Sequence, residues 1–88
     1  MDTWRQLLIE SLLQNGEEWK DIESIAIENQ DLLDKKFDSG FGRVEGVPFT
    51  VWTHNRVYFP LNYDGSESVE SVARHPDGKP TTHIGGAE

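Results

Sequence analysis

The chain has 88 residues and a mass of 10.0 kDa, contains no cysteine, and carries 16 acidic against 8 basic side chains. That length suffices for one domain, and the missing cysteine excludes disulfide staples, thiol nucleophiles and cysteine-ligated metal. A formal charge of −8 opposes binding to nucleic-acid phosphates or anionic lipid, so no direct nucleic-acid or membrane partner is expected.

Apolar residues make up 35% and charged residues 27%, a composition that leans toward disorder. The aromatics offset this. Three Trp, four Phe and two Tyr can each bury about 150–250 Å², enough for most of a small core. A chain of this size sits near the lower limit of stability for a single core, and dimerisation or a partner would help hold it together. Apolar runs such as Leu7-Leu8-Ile9 are far too short to span a membrane, and Met1-Asp2-Thr3 does not open a signal peptide. The expected location is the cytoplasm.

The first element is a helix over about residues 3–14. Thr3 and Gln6 have capping-box spacing, and Trp4, Leu7, Leu8 and Leu12, with Ile9 and Leu13 obliquely, form an apolar stripe. Asn15-Gly16 then supplies a C-terminal stop. Residues 17–38 read as two short helices. Trp19, Ile22, Ile25 and Ala26 suit the first, although Ile25-Ala26-Ile27 would equally suit a short strand. Asn29 caps the second, which carries Leu32, Leu33 and Phe37. A glycine-rich crossing follows through Gly40, Gly42 and Gly46.

Beyond it the period becomes two. Val47, Phe49 and Val51 alternate with polar positions and Trp52, His54-Asn55 suggests a two-residue turn, and Val57, Phe59, Leu61 and Tyr63 alternate again. Asp64-Gly65 is a strong hairpin signal, with a third strand over about 67–74. Pro60 requires a bulge or an open side in the middle strand. The fold class is therefore α+β, with N-terminal helices packed on a three-stranded antiparallel meander. One domain covers residues 1–75, and residues 76–88 form a flexible tail.

No motif specifies a reaction. His54, His75 and His83 lack metal-ligand spacing, and the serines lack a nucleophile elbow, so neither catalysis nor a metal or other cofactor is expected. Gly40-x-Gly42 follows a helix rather than opening one, as a phosphate loop would. Trp52 and Tyr58 fall opposite the main apolar set, where they are either covered by a helix or form an aromatic partner-binding patch. The acids are the most informative feature. Residues 1–38 hold ten acids and four bases. On a helix, Glu17 and Asp21, Asp31 and Asp34, and Asp34 and Asp38 would be neighbours about 5–6 Å apart. Such a row could occupy a phosphate-binding groove, or simply be a solvated face with Asp31 paired to Lys35.

The segments Phe37-Asp38-Ser39-Gly40-Phe41-Gly42, Glu45-Gly46-Val47-Pro48-Phe49-Thr50-Val51-Trp52-Thr53, Arg56-Val57-Tyr58-Phe59-Pro60 and Tyr63-Asp64-Gly65 resemble short proteins encoded by tailed bacteriophages. The likeness continues weakly at Arg74-His75-Pro76 and His83-Ile84-Gly85-Gly86, over about the last 50 residues. It implies a context, the host bacterial cytoplasm, and a role in disabling a host protein, but no residue roles.

The leading expectation is a non-enzymatic inhibitor of a basic, nucleic-acid-handling host protein, of the CRISPR–Cas, restriction-enzyme, polymerase or gyrase class. Glu17, Asp21, Asp31, Asp34 and Asp38 would stand in for phosphates, with Trp52 and Tyr58 as anchors. The alternatives are a binding module using the aromatic sheet face, as a virion component or regulator, and a sponge for a signalling nucleotide; a small hydrolase is a more distant reading.

Overall fold

The computed structural model describes residues 1–38 and 45–84. Helix α1 spans Trp4–Gln14. Thr3 stays extended before it, and its Oγ1 accepts from the Gln6 N–H at 3.1 Å. The far end is a Schellman turn. Gly16 adopts φ 73°, its N–H donates to the Leu13 carbonyl, and the Glu17 N–H donates to the Leu12 carbonyl. Trp4, Leu8 and Leu12 are buried and Leu7 half-buried, whereas Ile9 and Leu13 are exposed.

The two helices expected after Glu17 are not formed. A 3₁₀ turn at Trp19–Asp21 leads into strand β1, Ile22–Ile27, and a second 3₁₀ segment covers Gln30–Asp34. The helix-like step from Ile22 to Ile25 comes from a bulge between Ile22 and Ser24. The extra residue puts both isoleucines on one side of the sheet. Ile25 and Ile27 then alternate as β-branched strand residues do. Asn29 does act as a cap, accepting from the Asp31 N–H at 2.9 Å, but the segment it opens ends at Asp34. Phe37 instead pairs its backbone with Asp2, through bonds of 2.8 and 2.9 Å.

Strands β2 (Phe49–Thr53), β3 (Arg56–Tyr63) and β4 (Ser66–Ala73) complete an antiparallel sheet in the order β1-β2-β3-β4. The meander thus has four strands where three were expected, and the addition contains Ile25-Ala26-Ile27, for which a short strand was the alternative to a helix. Asp64 (φ 53°) and Gly65 (φ 83°) are both left-handed, as a type I′ hairpin turn demands. His54-Asn55 turns differently, without positive φ. Here the Thr53 hydroxyl accepts from the Asn55 and Arg56 N–H groups at 3.3 and 2.9 Å. The β2–β3 ladder runs over Val51–Tyr58 and Trp52–Val57 and stops before Pro60, which faces Val69 of β4. Residues 76–84 form neither helix nor strand.

One face of the sheet is covered. Phe49, Val51, Tyr58 and Val69 meet Trp4, Leu8 and Leu12 of α1, with Leu33 and Phe37 closing one end. Trp4 is the hub, with ring centroids 4.7 Å from Phe37 and 4.9 Å from Phe49, and its indole N–H donates to the Val47 carbonyl at 3.0 Å. Gly46 has to be glycine, because a Cβ there would lie 2.4 Å from the Trp4 ring. The molecule measures 36 × 34 × 20 Å. Its thin dimension matches one helix layer on one sheet layer, each about 10 Å deep. No helix among the described residues is long and apolar enough to cross a membrane.

Candidate functional site

The sheet has a second face, and strand alternation determines what it presents. The pairing Val51–Tyr58 puts Tyr58 on the α1 side, and Trp52–Val57 puts both of those residues on the other. From β1 the open side receives Ser24 and Ala26, and from β2 Thr50 and Trp52. From β3 it receives Val57, Phe59, Leu61 and Tyr63, and from β4 Ser66, Ser68, Glu70 and Val72. Trp52, Val57, Phe59, Leu61 and Val72 are half-buried, and Tyr63 is exposed. None of them belongs to the buried cluster beneath α1 or packs against it. The outcome is a contiguous apolar strip across the two central strands. Among the described residues charge reaches this side at Glu70 of β4 and at Glu23, which the bulge sets beside Ser24 and which pairs with Arg74 at 2.7 Å.

Tyr58 therefore does not join Trp52 in an aromatic patch. It is fully buried. A two-residue connection pairs position 52 with 57 and 51 with 58, so the apolar sets of β2 and β3 lie on opposite faces rather than one. Val57, Phe59, Leu61 and Tyr63 are the residues that accompany Trp52.

The five carboxylates do not form a row, because residues 17–38 are not helical. Glu17 is buried, at 6% exposure. Its Oε1 accepts from the Tyr58 hydroxyl at 2.5 Å, and the Thr53 hydroxyl lies 2.9 Å from Oε2 and 3.1 Å from Oε1. Burial, and then the hydrogen bond to Glu17, push the Tyr58 phenol well above its usual range. Asp34 forms a two-pronged pair with Arg5, at 2.7 and 3.1 Å. That guanidinium holds the Asp34 carboxyl below the usual carboxylate range. Asp21 accepts from the Glu18 N–H at 2.8 Å and stabilises the 3₁₀ turn. Asp31 and Asp38 are exposed. Asp31 stands in the second 3₁₀ segment rather than on a helix with Lys35.

Glu67 is an acid that sequence reasoning missed. It is buried, and its carboxylate accepts from the Glu45 N–H at 2.8 Å and the Gly46 N–H at 3.0 Å, anchoring the crossing to β4. Its partner across the hairpin is Asn62, so counting from the Asp64-Gly65 turn would have placed it inward. The signal for Glu17 was its place after the helix stop. Chain reversal there directs the next side chain back toward the core.

Near Glu17, an open cavity of about 360 Å³ is bordered by Asn15, Asn55, Arg56, His75 and Asp77. Arg56 is occupied within it, with Nε donating to the Ser71 hydroxyl at 2.8 Å. The His54 and His75 rings lie side by side, with centroids 5.6 Å apart. Among the described residues no group of three or more His, Asp or Glu has metal-holding geometry. Gly40 and Gly42 lie outside the described residues.

In comparison with known proteins, the chain matches no family model, no curated protein and no solved structure, so the bacteriophage resemblance remains an expectation and the site is interpreted from its own geometry.

Proposed function

We propose that the protein is a binding module that docks onto protein through the open face of its sheet, and that it does not act by catalysis. The observation that carries this reading is the strip formed by Trp52, Val57, Phe59 and Leu61, which nothing in the buried cluster touches. Apolar area left bare on a small domain marks interaction surfaces, and Trp is the residue most enriched at their energetic centres. The phosphate-surrogate reading has less support. Of its five carboxylates, Glu17 is sequestered, Asp34 is neutralised and Asp21 is engaged in a turn.

Affinity capture with wild type, Trp52→Glu and Asp31→Asn in parallel tests the proposal. Capture that survives high salt, is lost in Trp52→Glu and is kept in Asp31→Asn supports it. Capture that depends on Asp31 and is abolished by salt would overturn it in favour of an electrostatic surface.

A further inference from the structure

Strand register brings two histidines that are distant in sequence together at one end of the sheet. The β3–β4 ladder closes on the pair Arg56–Ala73. One step further out, the Arg74 N–H donates to the Asn55 carbonyl at 2.9 Å. The next step sets His54 opposite His75, and residues opposite each other on antiparallel strands project to the same side. Their ring centroids lie 5.6 Å apart, and both side chains are exposed.

That separation fits a shared metal ion. A metal about 2.0 Å from one nitrogen of each ring sits about 3.2 Å from each centroid, and a tetrahedral angle between the two bonds then sets the centroids about 5.2 Å apart. The observed pair is a few tenths of an ångström wider, which a slight opening of the angle or a small turn of either exposed ring removes. The backbone on both sides is already fixed, so the ion has little left to order. The Thr53 hydroxyl accepts from the Asn55 and Arg56 N–H groups, and the Arg74 guanidinium donates to the Thr53 carbonyl at 2.9 Å. Glu23 pairs with that guanidinium at 2.7 Å and offsets its charge. Glu17 and Asp77, against Arg56, border the cavity that His75 lines, and the chain carries −8 overall, a field that draws cations.

We infer that His54 and His75 jointly bind one divalent transition-metal ion of the Zn²⁺ and Cu²⁺ class, with water in its remaining coordination positions. Two imidazoles make an open site rather than a closed one, and water fills such open positions. Imidazole suits Zn²⁺, Ni²⁺ and Cu²⁺, whereas Mg²⁺ and Ca²⁺ take oxygen ligands. The bound ion ties the β2–β3 turn to the residues that leave β4. Spacing along the chain carries no trace of the pair, because only the hairpin register makes the two residues neighbours.

Isothermal titration calorimetry of the full, untagged chain with ZnCl₂, CuCl₂ and MgCl₂ tests this, alongside His54→Ala, His75→Ala and His83→Ala. The expected result is one ion per chain, with Cu²⁺ bound more tightly than Zn²⁺ and no binding of Mg²⁺. His54→Ala and His75→Ala should each weaken Zn²⁺ binding by at least the roughly 10–100-fold that follows from losing an outer-shell partner. His83→Ala should bind as wild type does. Both members of the pair are exposed, so without metal the variants should melt where wild type melts; added Zn²⁺ should raise the midpoint of wild type and His83→Ala alone. No binding up to millimolar Zn²⁺ overturns the site. So does one ion per two chains, affinity kept in either His54→Ala or His75→Ala, or affinity lost in His83→Ala.

Discussion

The two faces of the sheet are built from the same strands and are nearly equally apolar, yet only one is a core. On the α1 side, Phe49, Val51 and Tyr58 are almost completely shielded by Trp4, Leu8 and Leu12. On the other, Trp52, Val57, Phe59 and Leu61 have only one another and their strand neighbours. Alternation decides which residues share a face. It does not decide which face a single helix will cover, because an apolar residue is welcome on either. What separates the two is polar: the inner face also holds Thr53 and Glu67, whose bonds to Glu17 and to the Gly46 N–H fasten strand to crossing and strand to helix end.

The sharpest way to break this comparison is a matched pair of truncations. Leu8→Ala removes a buried side chain with no room to relax and should cost about 2–5 kcal/mol, a large share of a small domain's stability. Trp52→Ala, although it deletes a larger group, should cost the isolated chain only about 0.2–1 kcal/mol, the scale of a cross-strand contact. Urea unfolding in dilute solution measures both. Similar losses at the two positions would mean that the outer face is a second core.

Much of the inner face was legible from sequence. The cap at Thr3, the stop at Asn15-Gly16, the type I′ turn at Asp64-Gly65 and the strands on either side of it followed from local chemistry, and the structure has them. Two features were not legible. The bulge in β1 gave Ile22 and Ile25 a helical step that hid where the strand begins, although Ile25-Ala26-Ile27 already offered a strand as the alternative. The faces of the hairpin were legible in principle, since a two-residue turn dictates the pairing of Trp52 with Val57. Tyr58 obscured it, because an amphipathic aromatic fits either side until its hydroxyl finds a partner. Glu17, 41 residues away in the chain and beyond reach of any local pattern, is that partner.

A smaller effect should follow from loosening that partnership. Tyr58→Phe keeps the ring and removes a hydrogen bond to a carboxylate, which should cost about 1.5–3 kcal/mol. Its pH signature is specific. In the folded protein the phenol titrates above its usual value, so its contribution is complete below the unfolded phenol's pKa of about 10. Above that pH the unfolded chain ionises first, and stability falls as pH climbs toward the folded value. Wild type should therefore lose stability in alkali more steeply than Tyr58→Phe, with thermal unfolding and phenolate absorbance as the measurements. Equal slopes would mean that Tyr58 is not the sealed residue of the inner face.

The smallest effect sharpens the comparison from the side of charge. Asp34→Asn cuts the pair that joins α1 to the second 3₁₀ segment, but both partners are substantially exposed, and Arg5 still lies over the Trp19 ring at 4.7 Å. Little stability should be lost at neutral pH. What is lost has a fixed direction. Arg5 depresses the folded-state carboxyl, so its contribution is present above the unfolded carboxyl's pKa of about 3.9 and disappears as pH falls through the lower folded value. Wild type and variant should thus converge in acid, which a series of melts across that range will show. Association should be unchanged at any pH where both are folded, because an apolar face has no use for Asp34. If Asp34→Asn weakened binding as strongly as Trp52→Glu, the carboxylates rather than the sheet would be the working surface.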